Sequence, residues 1–491
     1  MSYKLQALPK ITSVKNIFFI GVKGVGTAPL AIIAKQAGFR VAGSDISEEF
    51  ITDDYLNREK IDIFEDFLIP DTKLFFGEKD KRECLVITTG AHKGFSNPQA
   101  LWAKENGIIV ISQGQALGIF MDGGVFNRNF ASVSVAGSHG KTTITALLST
   151  ALSALGQDPS YTVGTGELFP LGSPGHLGKG EYFIAEADEY SSEPVFDKMP
   201  KFLYQSPKFA IFNNIDFDHP DLFPDISSIE EAFLEFALNI KSGGKLFVNG
   251  DDEYLCGFKE KINKDIGIVS YGKDHKNDYV IKGIVSEGLT SKFTVSKHGK
   301  DLGIFTLNIP GFHNALNALS VVAFLNEAGF EYQKIRTALS VFKGSKRRME
   351  IVGKTLNGAV IIDDYGHHPL EISTTLKAIK KAYPLKKIVA IFQPHTYSRT
   401  KSLLPEFAES FNGIEKLILL PIFKSQRDRE KDNLSLEKYI NAHKEKVSTE
   451  FFEKFSDVVK YMRQNYMLSD YIILTIGAGD VYKIAYELGK V

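Results

Sequence analysis

The sequence predicts an open α/β protein of three domains, each built on a mostly parallel sheet with helices on both faces. Three observations carry that prediction. Short apolar runs of strand type alternate with helical stretches along most of the chain. Two of those runs end in glycine-rich turns that open a helix, Gly21-Val22-Lys23-Gly24-Val25-Gly26 and Gly137-Ser138-His139-Gly140-Lys141-Thr142-Thr143. The chain is 491 residues long, roughly three domains at about 100–200 residues each.

The elements follow in order. Ile17-Phe18-Phe19-Ile20 is a short, wholly apolar strand. The helix behind its glycines runs through Leu30, Ile33 and Ala34 and stops at Gly38. A second strand, 40–42, ends at Ser44-Asp45, and two more are expected at 85–88 and 108–111. Residues 122–128, with Gly, Asn and Arg, suit a linker. The strand 132–135 leads into the second glycine turn and a long apolar helix through Ala154. Strands at 182–185, 209–212 and 246–248 follow, then an antiparallel patch over 268–309 and a helix over 315–328. A third unit begins near 344–348, with strands at 360–363, 388–392, 417–420 and 472–476.

Composition limits the function classes. Hydrophobic residues are 43% and charged residues 24%, which excludes disorder as the main state. Two distant cysteines, Cys84 and Cys256, exclude a disulfide scaffold and fit a reducing compartment. With 58 basic against 59 acidic residues, nothing global attracts a polyanion, so no nucleic-acid partner is expected. No apolar run is long enough to span a bilayer, and the run at 17–22 lacks a small-residue cleavage site, so a cytoplasmic protein is expected.

Gly137–Thr143 sits between a strand and a helix, where a phosphate loop belongs. Backbone N–H groups can turn onto phosphate oxygens there, Lys141 is placed for the β- and γ-phosphates, and the Thr142 hydroxyl suits Mg²⁺. The loop is shorter than the generic pattern. Gly21, Gly24 and Gly26, with Asp45 closing the next strand, suit a diphosphate and a ribose; a dinucleotide-dependent dehydrogenase and a purely structural turn also fit them. Glu186-Ala187-Asp188-Glu189 and Asp218-His219 follow strands and could complete a hard cation site, or be solvated faces. His313, Asn314 and Asn317 stand at the start of the expected 315–328 helix, as caps or as an adenine edge. Three polar strand ends suggest a pocket: Asp363-Asp364-Tyr365-Gly366-His367-His368-Pro369, Gln393 through Arg399, and Gly477-Ala478-Gly479-Asp480. Arg347-Arg348 is an ordinary basic turn or a phosphate contact. Two histidines allow zinc, but no further Cys or His cluster supports it.

Taken together, these residues, in this order and over nearly the whole chain, resemble the Mur ligase family of ATP-dependent amide-bond ligases, which uses the shortened phosphate loop. The segments at 363–369 and 392–400 resemble most the branch that joins L-alanine to UDP-N-acetylmuramate. The resemblance implies a Rossmann-like UDP-sugar domain (1–125), a central P-loop ATPase-type domain (126–343) and a C-terminal Rossmann-like amino-acid domain (344–491). It implies ATP and Mg²⁺ as cofactors and an acyl-phosphate route that needs no side-chain nucleophile. By the same likeness, Gly137–Thr143, His313, Asn314, Asn317, Arg348 and Asp364 meet ATP, and Thr142, Glu186 and His219 meet the metal. Gly21, Gly24, Gly26, Ser44, Asp45, Thr88 and Thr89 meet the UDP-sugar. Tyr365, His367 and Arg399 meet the amino acid. Lys141, Arg348 and either His367 or His368 carry the chemistry.

Three departures stand out. Lys23 replaces a glycine, and Ser138 replaces a threonine of the phosphate loop. The stretch after Glu189, from Tyr190 to Phe202, resembles instead the branch that attaches the tripeptide L-Ala-γ-D-Glu-meso-diaminopimelate to the same sugar. A tripeptide ligase and a non-catalytic UDP-sugar and ATP sensor therefore remain as alternatives, and monomer or homodimer stays open.

Overall fold

The computed structural model describes residues 8–9, 11–193, 195–218, 222–262, 265–423 and 447–490. The chain separates into two compact units. The first holds Met1–Gly283, Phe293–Thr306 and Leu316–Lys343; the second holds Ile284–Lys292, Leu307–Ala315 and Gly344–Val491. The architecture is α/β throughout.

The first sheet comprises β1 (Asn16–Ile20), β2 (Arg40–Asp45), β3 (Asp62–Glu65), β4 (Cys84–Thr88) and β5 (Ile109–Ser112). Its order is β3-β2-β1-β4-β5, and every pair is parallel. β1 and β4 are buried along their whole length, as apolar strands covered on both faces must be. β3 was not among the expected strands; its Asp-Ile-Phe-Glu run sits at the sheet edge, half-exposed, without a continuous apolar signal. Chain order reverses between β1 and β4, which opens a crevice at their carboxyl ends. Gly21 follows one strand and Thr88-Thr89 end the other, so two of the expected ligand segments flank that crevice.

The expected linker is a packed turn. The helix Gln113–Asp122 ends on Gly123 in the left-handed region (φ 82°), and Arg128 donates to the Gly178 and Gly180 carbonyls at 2.6 and 2.5 Å.

The second sheet is centred on β6 (Ala131–Ala136). Chain order continues with β7 (Ser160–Thr162), β8 (Gly175–His176) and β9 (Tyr182–Ala187). A separate antiparallel pair follows, β10 (Ser191–Glu193) and β11 (Asp197–Pro200). The sheet resumes with β12 (Phe209–Phe212), β13 (Lys245–Asn249), β14 (Gly267–Gly272), β15 (Tyr279–Glu287), β16 (Thr290–Lys297) and β17 (Lys300–Leu307). The order is β17-β16-β15-β14-β13-β12-β6-β9-β7-β8. The antiparallel patch expected from residue 268 is not antiparallel at its start. β14 pairs parallel with β13, and β15 continues in the same direction, overlapping β14 only at Tyr271–Tyr279 and Gly272–Val280. A six-residue loop steps the chain sideways without reversing it, held where Asp251 accepts from the Lys273 and Asp274 N–H groups at 2.6 and 3.0 Å. Phe202, Phe212, Phe233 and Phe236 pack as one aromatic cluster behind β12.

The third sheet lies in the second unit. It comprises β18 (Glu350–Lys354), β19 (Val360–Asp364), β20 (Lys387–Phe392), β21 (Lys416–Leu419), β22 (Thr449–Phe451) and β23 (Tyr471–Ile476). Its order is β18-β19-β23-β20-β21-β22, with only β18 antiparallel. The carboxyl ends of β19, β20 and β23 are adjacent, so the three polar strand ends share one edge.

The helix expected over 315–328 runs Phe312–Glu327 and takes in His313 and Asn314. Gly311 (φ 104°) makes the turn, its carbonyl accepts from the Ala315 N–H at 3.1 Å, and helix begins three residues earlier than apolar periodicity suggests.

Candidate functional site

In the first unit, β6 delivers Gly137 to a tight loop and the helix Lys141–Ala154 starts at once. Its first residue follows Gly140, which is left-handed (φ 87°) and supplies no side-chain cap, an arrangement that suits an anion on the helix N-terminus. A Cβ at Gly140 would lie 2.6 Å from Asn213 Nδ2 and 2.9 Å from Asn317 Oδ1, so the loop is cast against those amides. Asn213 donates to the His139 carbonyl and to Asn317 Oδ1, both at 3.0 Å. Asn214 Oδ1 accepts from the His139 N–H at 2.8 Å, and the ring of His139 lies 3.2 Å from Asp216 Oδ2. The serine departure is accommodated: Ser138 Oγ accepts from the Asp216 N–H at 2.9 Å and donates to its carbonyl at 3.1 Å, which needs a hydroxyl but no methyl.

Lys141 reaches into this loop. Its Nζ donates to the Gly137 carbonyl at 2.6 Å and to both oxygens of Glu189, at 3.1 and 2.8 Å. Burial works against the ammonium, yet the Glu189, Asp188 and Glu186 carboxylates hold its pKa above the ordinary lysine value. Thr142 Oγ1 donates to Glu186 Oε2 at 2.9 Å, and the Gly164 N–H fixes the other oxygen at 2.6 Å. A hydroxyl beside a carboxylate is a donor set for a hard divalent cation. Thr143 is half-buried in the same first turn, and Asp218 is buried. His219 lies outside the described residues.

Asn317 therefore joins the phosphate loop, whereas Asn314 donates to the Pro310 carbonyl at 2.7 Å, a local backbone role. Burial pushes the His313 imidazole down to about 4, so it is neutral at physiological pH.

The first glycine loop is equally determined. Gly21 is left-handed (φ 79°), and a Cβ there would collide with Thr89. Gly24 and Gly26 have more room. Asp45, buried, accepts from the Lys23 N–H at 2.8 Å and the Ile46 N–H at 2.9 Å. The Lys23 ammonium turns inward to the Ile46 and Glu48 carbonyls at 3.0 and 2.9 Å. Ser44 donates to Gln99 Oε1 at 2.6 Å, and Thr88 to the Gly94 carbonyl at 3.3 Å.

In the second unit, the two arginines part company. Arg347 is buried, with Nε 3.2 Å from Asp363 Oδ2 and Nη2 donating to the Gly477 carbonyl at 2.5 Å. It ties β19 to the end of β23. Arg348 lies between two left-handed non-glycine residues, Arg347 (φ 61°) and Met349 (φ 49°), with its guanidinium 4.9 Å from the Tyr365 ring centroid. Strain of this kind persists where surrounding structure imposes it and gathers at functional sites.

Asp364 accepts from the Gly366 and Met349 N–H groups at 2.9 and 2.8 Å, and from Thr375 Oγ1 at 3.2 Å. Burial, only partly offset by Arg348, pushes its carboxyl up to about 6. The unfolded value is about 3.9, so the folded state binds the proton more tightly. This group's stabilising contribution is present at low pH and is lost as pH rises from about 4 to about 6. Urea titrations of the parent and Asp364→Asn should show the gap between them moving in the variant's favour across that window, by up to about 3 kcal/mol. A constant gap would refute the assignment.

Tyr365, His367, His395 and Phe423 form an aromatic row, with centroid separations of 5.4, 5.7 and 5.7 Å. Arg399, buried, has Nη1 3.4 Å from His395 Nδ1. Glu371 Oε2 accepts from the His367 and His368 N–H groups at 2.9 and 3.2 Å. His368 caps the helix Pro369–Ala382 with its own ring, Nδ1 accepting from Leu370 N–H at 3.4 Å, and His367 Nδ1 lies 3.2 Å from the Tyr365 carbonyl. Gln393 donates to Asp480 Oδ1 at 2.9 Å and accepts from the Val481 N–H at 3.1 Å, joining the ends of β20 and β23.

Sequence reasoning gave no role to Asn213, Asn214, Glu371 or Phe423, and placed Glu189 only in a candidate cation run, not as the partner of Lys141. Glu189 carried a signal, three residues beyond Glu186 at the end of a strand that flanks the loop. Asn213, Asn214 and Phe423 act through contacts distant in sequence, whereas Glu371 serves its own helix start, three and four residues from His368 and His367.

Comparison with known proteins matches three family models in succession: the Mur ligase family catalytic domain over 16–124, the Mur ligase middle domain over 135–325, and the Mur ligase glutamate ligase domain over 347–479. The chain is 34% identical to a UDP-N-acetylmuramate–L-alanine ligase of Desulfitobacterium hafniense over 475 residues, 96% of this chain and 99% of that one. A crystal structure of UDP-N-acetylmuramate–alanine ligase from Thermotoga maritima superposes with a TM-score of 0.78 at 26% identity, over 96% of this chain and 98% of that one. A murein peptide ligase from Psychrobacter arcticus gives 0.71 at 25% identity, over 97% and 99%.

Proposed function

The chain belongs to the Mur ligase family, and from that premise we propose that it is an ATP-dependent ligase joining L-alanine to the lactyl carboxylate of UDP-N-acetylmuramate, an early step of peptidoglycan precursor synthesis in the cytoplasm. The observation that carries the chemistry is the cluster of Lys141, Thr142 and Glu186 at an uncapped helix N-terminus. The division into 1–125, 126–343 and 344–491 belongs to the same reading.

The lactyl carboxylate attacks the γ-phosphorus of ATP, the bond to ADP breaks, and an acyl phosphate forms. The amino group of alanine then attacks the acyl carbon, inorganic phosphate leaves, and the amide remains. Positioning and charge neutralisation supply most of the rate. Lys141 holds the β- and γ-phosphates, and Arg348 steadies the transferring phosphoryl group. Thr142 and Glu186, with His219, are the residues that would hold Mg²⁺, which neutralises phosphate charge when bound. Asn317 fixes the loop from behind, and Asp364 and His313 serve the nucleotide. Tyr365, His367 and Arg399 receive the amino acid, with Arg399 on its carboxylate. His367 takes the ammonium proton.

Arg399→Ala should therefore raise the amino-acid KM by about tenfold or more and leave the ATP KM within about twofold. Equal rises in steady-state assays would refute the carboxylate role.

One observation favours a second reading. The β10–β11 pair follows Glu189 directly, in the stretch that resembles the tripeptide-attaching branch. Phosphate release with ATP, Mg²⁺ and UDP-N-acetylmuramate separates the readings when L-alanine and L-Ala-γ-D-Glu-meso-diaminopimelate are added in parallel, with product masses. Release on L-alanine supports the first reading, release on the tripeptide alone supports the second, and tight ATP binding without release with either would mean a sensor.

A further inference from the structure

The loop after β4 carries an unexpected side chain into the first glycine loop. His92 and Lys93 are both left-handed (φ 53° and 70°), and Gly94 continues the run at φ 50°. Non-glycine residues in that region cost on the order of 1 kcal/mol each and persist only where the surroundings impose them. Here the surroundings do so. Asn97 Nδ2 donates to the His92 carbonyl at 3.0 Å, and Thr88 Oγ1 holds the Gly94 carbonyl at 3.3 Å. Gly94 has no room for a Cβ, because the Glu193 carboxylate occupies that space, and Glu193 is itself fixed by the Val195 N–H at 2.9 Å.

The strained backbone sets the imidazole at the mouth of the crevice between β1 and β4. The ring packs at a tilt of 34° against Phe67 with centroids 4.6 Å apart, and Nε2 lies 3.4 Å from Asp45 Oδ1. Cδ2 would be 3.4 Å from a Cβ on Gly21. The side chain is 12% exposed and the Asp45 carboxylate 1%. A diphosphate on this loop faces two difficulties. Lys23, the loop's own cation, is bonded inward to the Ile46 and Glu48 carbonyls, and Asp45 places a negative charge beside the loop. The His92 ring answers both by position: it engages Asp45 through Nε2 and lies against Gly21 through Cδ2, so a diphosphate seated on this loop meets the ring edge before the carboxylate.

We infer that His92 is a substrate-binding residue for the diphosphate of the UDP-sugar, carried to the glycine loop by the left-handed His92–Gly94 turn and oriented by Asp45 and Phe67. This rests on the reading of the first glycine loop as the UDP-sugar site. The role is in binding rather than in the chemical step.

The test uses the full-length enzyme and the variants His92→Gly and Lys93→Gly. Glycine relieves the left-handed backbone at either position, so both variants should melt no lower than the parent. His92→Gly should raise the KM for UDP-N-acetylmuramate about tenfold or more, with the ATP KM unchanged within about twofold. A competitor ladder locates the contact. In the parent, UDP should inhibit more strongly than uridine, and His92→Gly should lose most of that gain while uridine inhibition stays the same. Lys93→Gly should keep both. If UDP inhibits His92→Gly as well as it inhibits the parent, the inference is wrong. If neither UDP nor uridine competes in the parent, the UDP-sugar reading of the loop has failed instead, and the inference with it.

Discussion

Lys141→Ala abolishes ATP-dependent turnover: kcat, read as ADP release in the complete assay, falls by about 10²- to 10³-fold or more. The physical case has two parts. The ammonium donates to a carbonyl of the phosphate loop itself. It is also half of a buried ion pair, with side-chain exposures of 13% for Lys141 and 3% for Glu189. Removing it strands the Glu189 carboxylate, a loss of about 3–5 kcal/mol for a pair of this kind. Lost activity could therefore be mistaken for lost fold. The double variant Lys141→Ala/Glu189→Gln separates them, because it removes the stranded charge: its melting temperature should return toward the parent's while turnover stays absent. Because the lysine pKa is raised in the folded state, the pair's contribution is intact at neutral pH and is lost only above the ordinary lysine range, about 10.4. ADP release by Lys141→Ala at the parental rate would overturn the phosphate-loop assignment.

The two neighbouring arginines should give opposite phenotypes. Arg347→Ala breaks a buried pair with Asp363, whose carboxylate is fully buried, and leaves the Gly477 carbonyl without its guanidinium donor. The expected cost is about 3–5 kcal/mol, read as a lower denaturation midpoint for the second unit. Arg348→Ala removes no such pair with Asp363. It withdraws the charge that partly offsets the burial of Asp364, so its midpoint should fall, but by less than that of Arg347→Ala, while kcat falls by about 10²-fold or more with little change in the amino-acid KM. Matching losses of stability in both variants would mean that the second arginine is also structural.

These expectations show where the sequence was legible. The apolar runs at 17–20, 85–88 and 472–476 are buried on both faces, so a continuous hydrophobic signal marked them. The edge strand at Asp62–Glu65 has no such signal, because half of its surface faces water. The glycine loops were legible because strand, tight turn and helix are consecutive in the chain. The partner of Lys141 was harder to see, since Glu189 is 48 residues away and acidic runs are common on surfaces. Arg347 and Arg348 are indistinguishable as letters; only the left-handed backbone on either side of Arg348 sends one guanidinium inward to Asp363. The three-residue error at the helix Phe312–Glu327 has the same origin, for Gly311 sets the start and its conformation is not written in hydrophobic periodicity.

The bidentate hold of Glu189 on Lys141 acts as a built-in competitor. A carboxylate tethered a few ångströms away has an effective concentration far above that of any free anion. An anion that offers only a single weak contact therefore meets an occupied lysine. On the proposed reading of the loop, ATP would bring several phosphate oxygens to the loop N–H groups and the ammonium together, and so displace the carboxylate. The expected consequence is that free phosphate inhibits ADP release more strongly in Glu189→Gln than in the parent, because the variant's lysine is held by a neutral side chain.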